Sequence, residues 1–316
     1  MTARLCLMIE GQEGVAWDDW VALADAAERL GFDGLFTSDH YGAPLDSEPR
    51  DALDVWAVLA ALGPRTRRIR LGTMVSPVTF RPPAVLAKLA LTVDHTSGGR
   101  VELGMGAGWH EREHAAFGFP FPPLGERLAM LEEQVAILRS LFDAGAIDHH
   151  GTHYALDHCV LRPRPLQERV PIILGGGAKP RGARVAAAYA DEYNVVFETP
   201  DATRAAQQRL DAACEAIGRD PATLTRSLMT RCVVGATPAE LDRRLRRVAE
   251  RAGEDPATIA ASPERDAWIV GTPDEVLERI ARYREAGIQR FMLQHLDHTD
   301  LDMLDLLATA VLPHVP

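Results

Sequence analysis

Eight short runs of β-forming residues, most of them followed by a stretch of helical periodicity, constrain this chain more than any other feature. The strand-like runs are 4–9, 34–37, 69–75, 101–106, 171–175, 193–197, 228–235 and 290–293. Between the first two, Trp17, Trp20, Val21, Ala24, Ala27 and Leu30 share one helical face, and Gly31 follows as a stop. Further helices are predicted over 53–62, 83–93, 124–142, 181–190, 201–217, 238–251, 273–286 and 300–312. Strand, helix and strand in sequence make the repeating unit of a parallel sheet, and eight such strands favour closure into a barrel over an open sheet. The expected fold is therefore α/β, a (β/α)8 TIM barrel forming a single domain over 1–316. Inserted segments are expected around 109–123, 144–170 (a loop or short hairpin) and 236–268.

Composition narrows the partners. A net charge of −11 gives no broad electrostatic grip on nucleic acid or on an anionic membrane, so neither is expected as a partner. No stretch approaches the roughly 18 apolar residues of a bilayer span, and the apolar run Leu5 to Ile9 is too short for a secretory leader. The four cysteines, Cys6, Cys159, Cys214 and Cys232, lack zinc-type spacing and read as reduced thiols. Together these features predict a soluble, cytoplasmic protein.

In a barrel of this type chemistry sits at the carboxyl ends of the strands. That rule selects Glu10, the Ser38-Asp39-His40 run, Met74 and Val75, Ala107-Gly108-Trp109, the Gly175-Gly176-Gly177 bend, Glu198, and Gln294-His295. His40 titrates near working pH and suits proton transfer, with Asp39 beside it as a hydrogen-bond acceptor. The triple glycine precedes a helix and is followed by Lys179, Arg181 and Arg184, a setting that suits phosphate. The run Gly104 to Trp109 fails as a dinucleotide fingerprint, because tryptophan stands where the third glycine belongs. The histidines at 149, 150, 153 and 158 lack a recognisable ligand spacing, so no metal is expected. His295 and His298 read as surface loop, and the arginine runs 65–70 and 243–247 as solvated faces.

Residues 71–128, together with SDHY at 38–41, PIILGGG at 171–177, YADEYN at 189–194 and the run 270–294, carry a wider likeness. They resemble the luciferase-like monooxygenase superfamily, in particular its branch that uses the deazaflavin coenzyme F420. The resemblance implies a (β/α)8 barrel with insertions. It also implies that Asp39 contacts the cofactor while His40 assists proton transfer. A non-proline cis peptide at Met74–Val75 would back the ring, Ala107 and Gly108 would lie along it with Trp109 counted among the cofactor-binding residues, and Gly175 to Gly177 would meet its phosphate. Lys179 and Arg181 would answer the acidic tail of the coenzyme. The sugar-phosphate dehydrogenases of that branch carry a glutamate at the position of Trp109, so a different substrate is expected here.

The expected activity is hydride transfer between F420 and a small organic substrate, apolar or aromatic in view of Trp109 and Phe117 near the mouth. Two alternatives accompany it: an FMN-dependent monooxygenase that takes reduced flavin from a partner reductase and uses dioxygen, and a non-catalytic flavin- or deazaflavin-binding barrel. A homodimer is the expected assembly from the resemblance.

Overall fold

Strands β1 (Arg4–Ile9), β2 (Gly34–Thr37), β3 (Arg70–Thr73), β4 (Val101–Gly106), β5 (Ile172–Gly175), β6 (Glu192–Val196), β7 (Thr225–Val234) and β8 (Arg290–Gln294) pair in chain order, every pair parallel. β8 then returns to β1, with Arg4 opposite Arg290 and Met8 opposite Gln294. The ring is closed, so this sheet presents no unpaired edge to solvent. The computed structural model describes residues 2–43, 50–253, 255–257 and 263–315. Among them no helix is long and apolar enough to cross a membrane.

Helices α1 (Trp17–Leu30), α2 (Val55–Leu62), α3 (Pro83–Ser97), α4 (Glu111–Phe117), α5 (Leu124–Ala144), α6 (Pro180–Tyr189), α7 (Pro200–Glu215), α8 (Pro238–Ala252), α9 (Pro273–Glu285) and α10 (Leu301–Leu306) accompany the strands. Three of them begin on a Thr-Pro pair, at 199–200, 237–238 and 272–273. Threonine can cap a free backbone amide, and proline at the first helical position loses nothing by lacking one. α3 runs a turn beyond the expected 93, because the residue able to end it in the left-handed region is Gly98, at φ 70°.

Side-chain alternation divides each strand between two environments. Outward residues such as Leu5, Leu7, Leu35, Leu103, Val195 and Phe291 are buried against the helical layer. The inward apolar residues are few: Cys6, Met8, Phe36, Met74, Ile173, Met229 and Met292 form a separate cluster inside the ring. Below that cluster, at the amino-terminal end, lies a charged layer. Arg290, 1% exposed, reaches Glu102 at 2.5 Å, Glu192 at 3.1 Å and Asp33 at 2.9 Å. Arg70 meets the other oxygen of Glu102 at 2.7 Å. Burial alone would raise the Glu102 carboxyl, but the two guanidinium groups hold it below the ordinary range.

The insertions are now specific. Segment 109–123 contains α4, and 144–170 contains an antiparallel hairpin, Ala146–His150 with Ala155–Val160. Segment 236–268 contains α8; its residues 254 and 258–262 lie outside the described residues. A short strand not anticipated, Ile269–Gly271, follows and pairs with the end of β7. The cysteines are free thiols, with Cys6, Cys214 and Cys232 buried.

Three surface readings are corrected. Arg244 is 7% exposed, with its guanidinium bound to Asp300 at 2.8 Å and to the Val234 carbonyl at 2.7 Å. Arg68 caps the end of α1 through the carbonyls of Ala27, Glu28 and Phe32, and Arg70 belongs to the charged layer. His295 and His298 are 3% and 5% exposed, because the segment after β8 packs against α1 and α8 rather than standing free. Arginines and histidines can be buried this way when their polar atoms find partners, which a one-dimensional charge run does not reveal.

Candidate active site

A cavity of about 730 Å³ opens at the carboxyl ends of the strands. β1 and the turn after it contribute Glu10, Gln12 and Glu13, and β2 leads into Ser38 and His40. The β3 end supplies Met74 and Val75, β4 leads to Gly106, Ala107, Gly108 and Trp109, and β5 to Gly175 and Gly176. Asn194, Val196 and Phe197 of the β6 side, Met229 and Arg231 of β7, and Gln294 of β8 complete the ring. Most of the residues singled out from the sequence therefore meet around one space.

The Met74–Val75 peptide is cis, at the position the resemblance implied. Beyond it Ser76–Pro77 rejoins the sheet beside Met105 and Gly106. Three glycines make room for Val75: a Cβ on Gly106 would lie 2.6 Å from its Cγ2, and one on Gly175 3.3 Å from its Cγ1. A Cβ on Gly104 would fall 1.9 Å from the Thr73 carbonyl oxygen, so backbone there approaches backbone with nothing between.

His40 lines the cavity with its Nδ1 2.8 Å from Glu113 Oε2. Glu113 sits on α4, 4% exposed, and its other oxygen accepts from the backbone N–H groups of Tyr41 at 2.5 Å and Gly42 at 3.2 Å. Burial on its own would lower the His40 ring, but Glu113 more than reverses this and holds it above the usual histidine value. Burial would raise Glu113, and His40 together with the two amides brings it below the usual carboxylate range. A carboxylate on Nδ1 sets the tautomer and leaves Nε2 for proton exchange.

Asp39 was expected to orient His40 or touch a cofactor. The structure gives it a different task. Its Oδ2 accepts from Arg81 at 2.5 Å, Ser76 at 2.6 Å and Trp56 Nε1 at 3.3 Å. It is 2% exposed and does not line the cavity, whereas Ser38 and His40 on either side of it do. Burial raises the Asp39 carboxyl, and Arg81 and Ser76 offset part of that.

The triple-glycine bend is divided too. Gly175 and Gly176 line the cavity, while Gly177 is exposed. The Gly176 amide donates to the Asn194 carbonyl and the Ala178 amide to the Tyr193 hydroxyl, so both amides are already engaged. Lys179 stands exposed as the cap residue of α6. Arg181 turns to α5, meeting Glu132 at 3.3 Å and the Gly125 carbonyl at 3.1 Å. Trp109 is 64% exposed at the mouth, stacked on His110 and edge-on to His40 at 5.7 Å.

Polar atoms at the floor fit a heterocyclic ligand. Gln294 Nε2 donates to Glu10 at 2.5 Å, Gln12 Nε2 donates to Glu10 at 2.8 Å, and Ser38 donates to Gln12 at 2.7 Å. The Oδ1 of Asn194 and the Oε1 of Gln294 are buried without a donor. A buried acceptor left unpaired costs about 1–3 kcal/mol, and ring N–H or hydroxyl donors of a bound ligand would relieve it. An apolar wall of Met74, Val75, Val196 and Met229 beside those acceptors suits a flat ring with a polar edge.

Two functional candidates escaped the sequence reading. Glu113 lies on α4, in an insertion without barrel periodicity, and nothing in its sequence neighbourhood marks it as the partner of His40. Arg231 was missed although a signal existed: two residues beyond Met229 in one strand, it points the same way. Of the hairpin histidines, His149 is held by Glu133 at 3.0 Å, and His158 comes together with Asp148 and Asp157, all three exposed.

Comparison with known proteins places the chain. The pyrimidine monooxygenase RutA of Stutzerimonas stutzeri (strain A1501) is 32% identical over 208 residues, 63% of this chain and 56% of that protein. An F420-dependent glucose-6-phosphate dehydrogenase of Intrasporangium calvum is 37% identical over 170 residues, 53% of this chain and 50% of the other. The chain thus spans about half the length of these relatives. Among solved structures, an F420-dependent secondary alcohol dehydrogenase in complex with an F420-acetone adduct superposes with a TM-score of 0.86 at 22% identity, over 100% of both chains. The FMN complex of the oxygenating constituent of 3,6-diketocamphane monooxygenase from Pseudomonas putida gives 0.78 at 19%, over 100% of this chain and 99% of that one. These two likenesses establish the fold. The match to the luciferase-like monooxygenase family model runs over residues 5–290, from β1 to the first residue of β8, and the chain belongs to that family.

Proposed function

We propose that the protein is an F420-dependent oxidoreductase acting on a small organic substrate with an apolar or aromatic body. The observation that carries this reading is the His40–Glu113 pair, a histidine ring lining the cavity with its outer nitrogen held by a buried carboxylate. In this reading Met74, Val75, Ala107 and Gly108 hold the ring system, and Gly175, Gly176 and Gly177 receive the phosphate. Lys179 contributes positive charge near that bend, with Arg181 two residues further and already paired. Asp39 acts from behind the site, fixing Arg81, Ser76 and Trp56.

When bound, the deazaflavin supplies a ring carbon that takes or gives a hydride. His40 holds the proton that the substrate heteroatom gains or loses, at Nε2, and Glu113 keeps that nitrogen aimed and the ring charged. Trp109 gives the substrate a flat wall at the mouth and limits water access. The likeness to a pyrimidine monooxygenase favours a second reading, in which the same cavity takes reduced FMN from a reductase partner and uses dioxygen.

Titration of the purified protein with oxidised F420 and with FMN separates the two. The first reading expects micromolar F420 binding, weaker FMN binding, and bleaching of the F420 absorbance with alcohols in a substrate panel. Tight FMN binding with no F420 binding, together with oxygen uptake on adding reduced FMN, overturns it.

A further inference from the structure

Three arginines line the cavity, and two have carboxylates. Arg50 contacts Glu13 and the Arg251 carbonyl, while Arg251 meets His298 Nδ1 at 2.9 Å and Asp297 at 3.8 Å. Arg231 differs from both. Its guanidinium lies 4.6 Å from the ring centre of Trp268 and 5.7 Å from that of Phe197, and no carboxylate of the described residues lies within ion-pair distance. Of the two rings Trp268 is buried, 1% exposed, and Phe197 is half-buried with a backbone φ of 51°, a conformation residues with side chains seldom adopt.

An arginine fixed in this way is prepared for a ligand. Contact with two aromatic faces contributes about 0.5–2 kcal/mol but satisfies none of the five N–H donors. Those donors form a planar fork that matches two oxygens of a carboxylate or phosphate, and such charged pairs are about twice as strong as neutral hydrogen bonds. Val196, Phe197 and Met229 beside it are apolar; the polar neighbour is Gln294, opposite Arg231 on β8, whose amide nitrogen is held by Glu10 and which brings no charge of its own.

We infer that Arg231 anchors an oxyanion of the bound ligand, a carboxylate or phosphate carried on an apolar body. This rests on the cavity being the site of the reaction proposed above and narrows its substrates to small organic acids. The same chemistry could be presented by the coenzyme's own anionic arm, and the test separates the two sources.

Calorimetric titration of the whole protein with benzoate, and with its neutral isostere benzamide, reads the inference directly and without coenzyme. Benzoate is expected to bind saturably and more tightly than benzamide. Arg231→Met should weaken benzoate by about tenfold or more and leave benzamide unchanged, and Arg231→Lys, which keeps a charge but loses the fork, should fall between. If Arg231→Met does not fold, the lysine variant alone still decides, because it must weaken benzoate. Titration of Arg231→Met with oxidised F420 and with FMN completes the test. Unchanged coenzyme affinity with lost benzoate assigns the oxyanion to the substrate. A tenfold loss of coenzyme affinity assigns it to the coenzyme arm. Equal binding of benzoate and benzamide to native and variant proteins, with coenzyme affinity unchanged, overturns the inference. Failure of both coenzymes to bind the native protein overturns the proposed function and leaves the benzoate result readable.

Discussion

Arg290 and Arg231 stand at opposite ends of one barrel, both on strands, both over aromatic rings. Arg290 has Phe36 at 4.9 Å and three carboxylates within 3.1 Å. Arg231 has Trp268 and Phe197 and no carboxylate among the described residues. The same contrast runs through their surroundings. At the amino-terminal end the buried charges are paired with one another, although Glu192 keeps one oxygen without a donor, whereas at the carboxyl end the neutral acceptors Asn194 Oδ1 and Gln294 Oε1 lack donors beside the cavity. An end whose charges are paired with one another is costly to break and offers a ligand nothing. An end with unanswered polar groups is less stable by itself and ready to bind.

Breaking the amino-terminal layer should give the largest effect on stability. Arg290→Met leaves Glu102 and Glu192 buried without their main counter-charge, and a denaturant melt should show a loss of about 3–5 kcal/mol. Arg231→Met, which abandons no carboxylate, should melt within about 0.5 kcal/mol of the native protein. Similar losses in both would erase the distinction between the ends.

His40→Ala tests the carboxyl end. Turnover should fall by about 10²–10⁴-fold, with coenzyme affinity changing only a few-fold. A loss of affinity with turnover preserved would make His40 a binding residue.

His295 sharpens the contrast by a third behaviour. It is fully enclosed just past β8, both ring nitrogens lack partners, and burial pushes its pKa down to about 4 from 6.5. Its folded value lies below its unfolded one, so the unfolded chain binds the proton first. Stability should therefore fall as pH drops from 6.5 towards 4, by about 3 kcal/mol through this group. His295→Leu should flatten the pH dependence of the melt over that interval.

Within the His40–Glu113 pair the two members have opposite signs, and only His40 runs against His295. His40 is raised, so its contribution is full below 6.5 and is lost as pH climbs through the folded value. Glu113 is lowered, so its share is present above 4.5 and is lost as pH falls through its folded value. The pair is worth most between those limits. Glu113→Gln should cost about 1 kcal/mol there and move the alkaline limb of the turnover profile down towards the ordinary histidine value. An unmoved limb would reduce Glu113 to a support for the Tyr41 and Gly42 amides.

The parts of the molecule that could be read in advance are those in which one residue's role depends on its near neighbours in sequence. The eight barrel strands were legible because alternation and bounding glycines are local, and β1, β2 and β4 match to the residue. β7 begins three residues early, at Thr225, because pairing with β6 draws Thr225 and Arg226 into the sheet despite their polarity. The mouth residues Met74, Val75, Gly108 and Gly175 followed from their place at strand ends. The partner of His40 did not, since it lies 73 residues away in an insertion with no periodicity. Nor did the burial of His295, which depends on how the last loop packs against α1 and α8.

Residue order by itself determined that the chain alternates strand and helix, that eight strands would close, and which strand ends would share one rim. These follow from side-chain shape and spacing over a few residues. Tertiary structure alone decided which charges were answered: that Arg81 holds Asp39 behind the cavity, that Glu113 rather than Asp39 meets His40, and that Arg231 lines the cavity with no carboxylate partner among the described residues. Electrostatic partnership depends on distances through space and on exclusion of water, and neither exists until the barrel has closed.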